Sequence, residues 1–181
     1  MKTCLIVCGH LAALKTTLSQ RLSQDLQIPC LNKDSIKETL TDTIGFSNRE
    51  ENLKLSLATF ELMKFLMIQL LETQDLLILE SNFKPHEIDV LKKSAEAKHI
   101  HLVFLFLTGE PHILYERYVQ RQPHRHPAHT SAGLMTFETF VKSMAPFDFN
   151  LYGPNGRMVD TTKMDEIKYQ EVLNQVRTLM Q

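Results

Sequence analysis

The stretch TCLIVCGHLAALKTT, residues 3–17, decides the architecture of this chain. Its apolar part, 3–8, runs into Gly9, and a short loop then leads to Lys15. Further leucines follow at four-residue spacing, which places them on one face of a helix: Leu18, Leu22 and Leu26. The stretch therefore predicts a strand, a tight loop and an amphipathic helix, in that order.

The loop has most of the features of a phosphate-binding loop. In such loops, backbone N–H groups bind phosphates, a lysine neutralises the terminal ones, and the first hydroxyl after it binds magnesium. Lys15 and Thr16 stand at the positions for the last two roles, but Leu14 replaces the usual second glycine. We therefore expect a nucleotide site whose affinity Leu14 weakens, with loss of binding as the alternative. The predicted contacts are Gly9, His10, Ala12, Ala13, Leu14, Lys15, Thr16 and Thr17.

The composition indicates an ordinary globular protein. With 181 residues, 43% hydrophobic and 23% charged, the chain predicts one domain over 1–181. The net charge of -1 provides no basic field for nucleic acid. No apolar run approaches the roughly 20 residues that span a bilayer, and a signal-peptide cleavage site is missing. We expect a cytoplasmic protein without a membrane partner.

Strands and helices alternate along the sequence. Apolar runs predict strands at 3–8, 28–31, 76–79, 102–107 and 157–160. Periodicity predicts helices after the loop and at 35–40, 50–73, 85–98, 111–121, 136–144 and 163–180, the second capped by Asp34. The stripe expected to pack on the core from 50–73 comprises Leu53, Leu57, Phe60, Met63, Met67, Leu70 and Leu71. The alternation predicts a three-layer α/β/α sandwich with about five parallel strands.

Polar residues follow several of the predicted strands. Because ligands bind at the carboxyl ends of parallel strands, Asn32-Lys33-Asp34, Glu80-Ser81-Asn82 and Asp160-Thr161-Thr162 are expected near the loop. Asp34 is a candidate base and, alternatively, only a helix cap; the segment at Glu80 is alternatively only the end of a buried strand.

Three arginines are spaced by four residues. Arg117, Arg121 and Arg125 would share one helix face, the arrangement that a clamp on transferring phosphates needs. A solvated basic face is the alternative.

The order of six segments resembles that of the P-loop kinases called AAA-type ATP-binding kinase-like proteins, which include zeta toxins, chloramphenicol phosphotransferase and polynucleotide kinase. The segments are GHLAALKTT, LNKDSIKETL, LILESNF, LYERYVQR, RHPAH and MVDTT. The resemblance covers nearly the whole chain. It implies the P-loop nucleoside triphosphate hydrolase fold, with ATP and Mg²⁺ as cofactors.

The resemblance also implies roles for single residues. Asp34 matches the base that acts on the acceptor hydroxyl. Arg117 and Arg121 match arginines of a lid, near 117–135, that closes on the phosphates, and the segment Asp160–Thr162 matches one near the adenine. The residues implied to contact the acceptor are Asp34, Lys37 and Asn82; those implied to hold magnesium are Thr16 and Glu80; further nucleotide contacts are Arg125, Asp160 and Thr161.

The chain departs from the family pattern at three places. Leu14 replaces a glycine, Glu80 replaces the commoner aspartate of the magnesium-binding strand end, and Ala128 replaces the glycine of the RHPGH stretch. These changes affect rate and affinity more than fold.

Two further segments have alternative interpretations. The three histidines within 124–129 suggest zinc, but Pro127 interrupts any helix there, so a lid or acceptor-binding segment is favoured. The aromatic stretch containing Asp148 and Tyr152 either lines the acceptor pocket or is simple packing.

Together, the residues predict an ATP-dependent P-loop kinase acting on a hydroxyl of a small molecule. One alternative is a nucleotide-binding regulatory protein without turnover, because of Leu14. The other is a nucleic-acid 5'-end kinase, which the net charge of -1 disfavours.

Overall fold

The computed structural model describes residues 1–129 and 133–180. Five strands alternate with eight α-helices along these residues. The elements are β1 (Thr3–Gly9), α1 (Lys15–Leu26), β2 (Cys30–Asn32), α2 (Lys33–Ile44), α3 (Arg49–Thr73), β3 (Leu76–Glu80), α4 (Pro85–Glu96), β4 (His101–Thr108), α5 (Pro111–Arg121), α6 (Phe137–Lys142), α7 (Phe149–Tyr152), β5 (Gly156–Asp160) and α8 (Glu166–Leu179). Two 3₁₀ turns, Gln122–His124 and Pro127–His129, lie between α5 and α6.

All five strands are parallel and lie in the order β2-β3-β1-β4-β5. The central strand β1 is buried on both faces, as strands with helices on either side are. Leu5 and Val7 point into a core shared with α1, α5 and α8, whereas Cys4, Ile6 and Cys8 point into a core shared with α3 and α4. The predicted three-layer α/β fold is confirmed.

The helix α2 begins two residues earlier than the sequence predicts. Asn32 is its N-cap, because its side-chain oxygen accepts a hydrogen bond from the backbone N–H of Ser35 over 2.7 Å. The prediction that Asp34 caps this helix is wrong, since Asp34 lies inside the first turn. Its carboxylate is thereby available to the edge of the sheet.

The apolar stripe of α3 is only partly buried. Phe60 and Met63 lie in the core, as predicted, but Leu53 and Leu57 are 54% and 63% exposed. The first turns of α3 pack against α2 instead of the sheet, so the face that is buried there carries Asn52 and Leu55. Burial of the stripe at Leu53 and Leu57 is therefore a wrong prediction.

None of the helices in the described part of the chain combines the length and the apolar character that crossing a membrane requires. The predicted lid, 117–135, is described over 117–129 and 133–135, and its remaining residues, 130–132, lie outside the described part of the chain.

Candidate active site

A cavity of about 450 Å³ lies at the carboxyl edge of the sheet. The loop between β1 and α1 forms its floor, and side chains from α2, from the end of β3 and from α5 form its walls. We call it the nucleotide cavity. Its lining comprises Leu11, Ala12, Ala13, Leu14, Lys15, Thr16, Thr17, Asp34, Glu80, Asn82, Arg117, Gln120, Arg121 and Arg125.

The loop bends through residues with positive φ. Gly9 has a φ of 122°, and a Cβ there would lie 2.1 Å from the carbonyl oxygen of Leu107, so only glycine fits. Ala12 and Leu14 adopt the left-handed conformation, with φ of 60° and 57°. This conformation costs a residue other than glycine about 1–2 kcal/mol. Leu14 therefore adopts a backbone conformation that favours glycine, and it is one of the residues that line the cavity.

The ammonium of Lys15 folds back onto the loop. It donates hydrogen bonds to the carbonyl oxygen of His10 over 2.6 Å and to that of Gly9 over 3.2 Å. Burial lowers the pKa of Lys15 to about 8, against the opposing attraction of Glu80. A phosphate in the cavity would supply the negative charge that such a buried ammonium needs.

Glu80 and Thr16 form a polar pair beside Lys15. The Thr16 hydroxyl donates to Glu80 Oε2 over 3.0 Å, and the amide of Asn32 donates to the same oxygen. Burial raises the pKa of Glu80 to about 7, although Lys15 and Thr16 both oppose the rise. A hydroxyl and a carboxylate at this separation are the hard oxygen donors that Mg²⁺ takes in phosphate sites, so the residues fit this ion. Sequence reasoning gave Asn32 no separate role, although it begins one of the polar segments that were expected near the loop.

The three arginines all line the nucleotide cavity, but they are held differently. Arg117 donates to the carbonyl oxygens of Thr161 and Thr162, each over 3.0 Å. The Nε of Arg121 is buried and has no hydrogen-bond partner among the described residues, and burial lowers the pKa of its guanidinium. Arg117 and Arg121 both lie on α5, but Arg125 comes after the first 3₁₀ turn. The prediction that all three share one helix face is therefore wrong for Arg125.

Asp34 projects from α2 to the rim of the nucleotide cavity. Its Oδ2 lies 3.7 Å from Arg125 Nη2, and its Oδ1 lies 3.9 Å from His129 Nδ1. This exposed carboxylate, beside the guanidinium of Arg125 at the entrance to the cavity, is accessible to a hydroxyl that enters from solvent.

Five predicted site residues do not line this cavity, among them Gly9, whose carbonyl oxygen accepts a hydrogen bond from Lys15. The ring of His10 turns away from it, with Nε2 2.6 Å from the carbonyl oxygen of Ala145. Lys37 donates to the carbonyl oxygen of Ala128 over 3.0 Å. Asp160 and Thr161 stabilise the turn after β5 through bonds to Thr162 and Thr108. Their predicted contacts with ligand stay predictions.

The histidine tract is tied to α2. His126 Nε2 lies 2.9 Å from Asp42 Oδ1, and His129 Nε2 lies 3.0 Å from Glu38 Oε1. Because Glu38 and Asp42 share one face of α2, these pairs hold the segment from Arg125 to His129, which we call the strap, against that helix.

The aromatic stretch lines a different cavity, of about 330 Å³. Asp148 and Tyr152 contribute to it together with Phe106, and Asn82 lies on its border with the nucleotide cavity. Gln120, which sequence reasoning missed, lines the nucleotide cavity one residue before Arg121. No sequence pattern distinguishes a glutamine of a functional site from any other glutamine on a helix.

No protein-family model matches this chain, and no curated protein matches it. Solved structures do. A candidate kinase from Chloroflexus aurantiacus is 28% identical, with a TM-score of 0.83 and 99% of both chains covered. A gluconokinase from Sinorhizobium meliloti is 15% identical, with a TM-score of 0.61 over 98% of this chain and 91% of that one.

The Mycobacterium tuberculosis APS kinase CysC, solved in complex with AMPPNP and APS, is 12% identical to this chain. Its TM-score is 0.65, with 97% of this chain and 98% of that one covered. The narrower resemblance to zeta toxins, chloramphenicol phosphotransferase and polynucleotide kinase stays a prediction. The chain has the P-loop kinase-like α/β fold that it shares with these solved structures.

Proposed function

We propose that this protein is a kinase that uses ATP and Mg²⁺ to phosphorylate a hydroxyl group of a small molecule. One observation carries the proposal: a single cavity collects a P-loop lysine, a hydroxyl–carboxylate pair for a metal, a carboxylate at its rim and three arginines. The likeness to a gluconokinase and to an APS kinase supports the small acceptor and the nucleotide.

The nucleotide phosphates bind along the loop. Lys15 exchanges the carbonyl oxygens of Gly9 and His10 for phosphate oxygens, because a charge-assisted hydrogen bond is stronger than one to a neutral carbonyl. Thr16 and Glu80 would hold Mg²⁺, which would supply positive charge to neutralise the phosphates. Glu80 would hold the ion as a carboxylate, after releasing its proton.

Asp34 accepts the proton of the acceptor hydroxyl. The bond from the acceptor oxygen to the γ-phosphorus forms as the bond from that phosphorus to the β-phosphate oxygen breaks, and ADP departs with those electrons. Arg121 and Arg125 stabilise the charge on the transferring group. Arg117 has a positioning role, because both of its described hydrogen bonds go to carbonyl oxygens of the turn after β5.

A second function is a nucleotide-dependent regulatory protein without turnover. The side chain of Leu14 at the nucleotide cavity favours it, because a Cβ and its substituents stand where phosphates approach the backbone.

Calorimetry with ATP and Mg²⁺, followed by ADP formation with a panel of hydroxylated metabolites, separates the two functions. Lys15→Ala should weaken ATP binding by about 1.5–3 kcal/mol, the range for a lost hydrogen bond to a charged group. Lys54→Ala, on the exposed face of α3, is the matched control and should bind normally. Equal ATP affinity in the two variants would remove the loop from the proposed site. Binding without turnover of any acceptor would favour the regulatory protein.

A further inference from the structure

A second cavity, of about 240 Å³, lies between α2, α3 and the strap. Arg125 lines both this cavity and the nucleotide cavity, so its side chain separates the two. Asp34 lies 3.7 Å from the same guanidinium. The second cavity therefore begins directly behind the carboxylate that we propose as the base.

The walls of the second cavity are cationic. Lys37, Arg49 and Arg125 contribute three basic side chains, and the described lining contains no Asp or Glu. His129 also lines the cavity and is paired with Glu38 over 3.0 Å. Such a concentration of positive charge attracts an anion.

Two of these cations lack a carboxylate partner. Within 1–129 and 133–180, the ion pairs include neither Lys37 nor Arg49, and Arg125 has Asp34 alone. Lys37 is only 9% exposed, and its one described hydrogen bond goes to the neutral carbonyl of Ala128. Burial also lowers the pKa of Lys37, although the negative charge of Asp34 opposes the shift. An anion in the cavity would give this buried ammonium a charged partner.

The second cavity is within reach of one small molecule that also contacts Asp34. Lys37 follows Asp34 by three residues of α2, or about 4.5 Å along the helix axis. A hydroxyl at Asp34 and a second group at Lys37 are therefore separated by a few covalent bonds. Ser56 adds a hydroxyl to the wall on the α3 side.

Resting on the kinase function proposed above, we infer that the phosphoryl acceptor is itself an anion. Its hydroxyl lies at Asp34, and a carboxylate, phosphate or sulfate group a few bonds away lies between Lys37, Arg49 and Arg125. The anionic group does not react; it positions the hydroxyl. Arg49 is thus a residue that determines acceptor specificity.

The first test compares acceptors in matched pairs that differ in one charged group: D-glycerate with glycerol, D-gluconate with D-glucitol, and glucose 6-phosphate with glucose. ADP formation should increase with charged members and not with their neutral partners. Arg49→Ala should raise the KM of the charged acceptor at least about tenfold, and Arg49→Lys should recover most of the loss. Arg177→Ala, an exposed arginine of α8, is the control and should leave the KM unchanged. Neutral acceptors phosphorylated equally well, with Arg49→Ala indifferent, would overturn the inference and leave the kinase intact.

The second test does not depend on turnover. With AMPPNP and Mg²⁺ saturating the nucleotide cavity, calorimetry measures binding of sulfate, inorganic phosphate and acetate to the wild type and to Arg49→Ala and Lys37→Gln. We expect at least one anion to bind the wild type saturably, with a dissociation constant of about 1–10 mM, and to bind neither variant. Preference for sulfate or phosphate over acetate would indicate that the cavity takes a tetrahedral group, and the opposite preference a carboxylate. Absence of binding, or binding that both variants keep, overturns the inference. Binding here without phosphorylation of any acceptor would instead count against the kinase function and leave the anion site standing.

Discussion

The hydroxyl of Thr16 donates a hydrogen bond to Glu80 Oε2 over 3.0 Å, across the 64 residues that separate them in sequence. Burial raises the pKa of Glu80 from its ordinary value of 4.5 to about 7. The folded protein therefore binds this proton more tightly than the unfolded chain does. Between these two pH values, the contribution of Glu80 to the free energy of unfolding falls as pH rises.

Glu80→Gln removes this dependence, because an amide has no proton to lose. We expect the melting temperature of Glu80→Gln minus that of the wild type to increase by a few degrees from about pH 5 to about pH 8, in the absence of metal. Differential scanning fluorimetry across this range measures it. Glu72→Gln, on the exposed face of α3, is the control for removal of a carboxylate that is not buried. A difference for Glu80→Gln that does not change with pH would contradict the assignment of a protonated, buried Glu80.

Asp34→Asn should lower turnover by a factor of roughly 10²–10⁴ and leave ATP affinity nearly unchanged, because a base acts on the acceptor and not on the nucleotide. The structure already assigns the helix cap to Asn32, so a loss of turnover cannot be ascribed to a lost cap at Asp34. Steady-state kinetics with an identified acceptor, together with ATP calorimetry, make the test. Asp89→Asn, at an exposed aspartate of α4, is the control and should leave turnover unchanged. Normal turnover in Asp34→Asn would remove Asp34 from the chemistry.

Leu14→Gly should raise the affinity for ATP, because it removes the Cβ beside the phosphates. Its effect on stability should be small, within about 1 kcal/mol: relief of the left-handed conformation offsets the loss of a side chain that is only partly buried. Ala12→Gly, which has a similar φ but almost no side chain to lose, separates the two effects. Calorimetry and melting temperature are measured on each variant. Equally tighter binding in Ala12→Gly and Leu14→Gly would mean that backbone strain, and not the leucine side chain, limits affinity.

Gly9→Ala should destabilise the protein by at least about 3 kcal/mol, because the new Cβ lies 2.1 Å from a backbone oxygen of β4 that cannot move independently of the sheet. Gly45→Ala is the control: its φ of 73° is also positive, but no atom lies within 4 Å of the added Cβ. It should cost only about 1–2 kcal/mol. Chemical denaturation of both variants gives the comparison. Equal costs would show that backbone conformation, and not the contact with β4, is what Gly9 satisfies.

The sequence predicted the layers of the fold because the sheet is buried on both sides. Its strands are apolar runs such as 3–8 and 102–107, and amphipathic segments lie between them, so the period of the pattern changes at each boundary. Helix boundaries that are set by side-chain capping were harder to predict. Asn32 and Asp34 are both good N-caps, and only the course of the chain after β2 selects the first of them.

The floor of the site was also predictable, since the loop, Thr16 and Glu80 are brought together by strand ends at one edge of a parallel sheet. The second cavity was not. It depends on how the start of α3 packs against α2 and on where the strap lies. Both are set by tertiary packing, which leaves no local pattern in the sequence. Arg49, for example, stands at the first position of a helix where any exposed residue is acceptable.

The hydrogen bonds that the carbonyl oxygen of Ala128 accepts affect how fast the strap can move. It accepts hydrogen bonds from Lys37 on α2 over 3.0 Å and from Asn52 on α3 over 3.2 Å, while His126 and His129 fasten the same segment to α2. Moving the strap aside breaks these contacts together, so it is slow compared with the motion of a free loop. Under the kinase function proposed above, we expect departure of the phosphorylated product to limit the rate, so that the first turnover produces ADP as a burst ahead of the steady state.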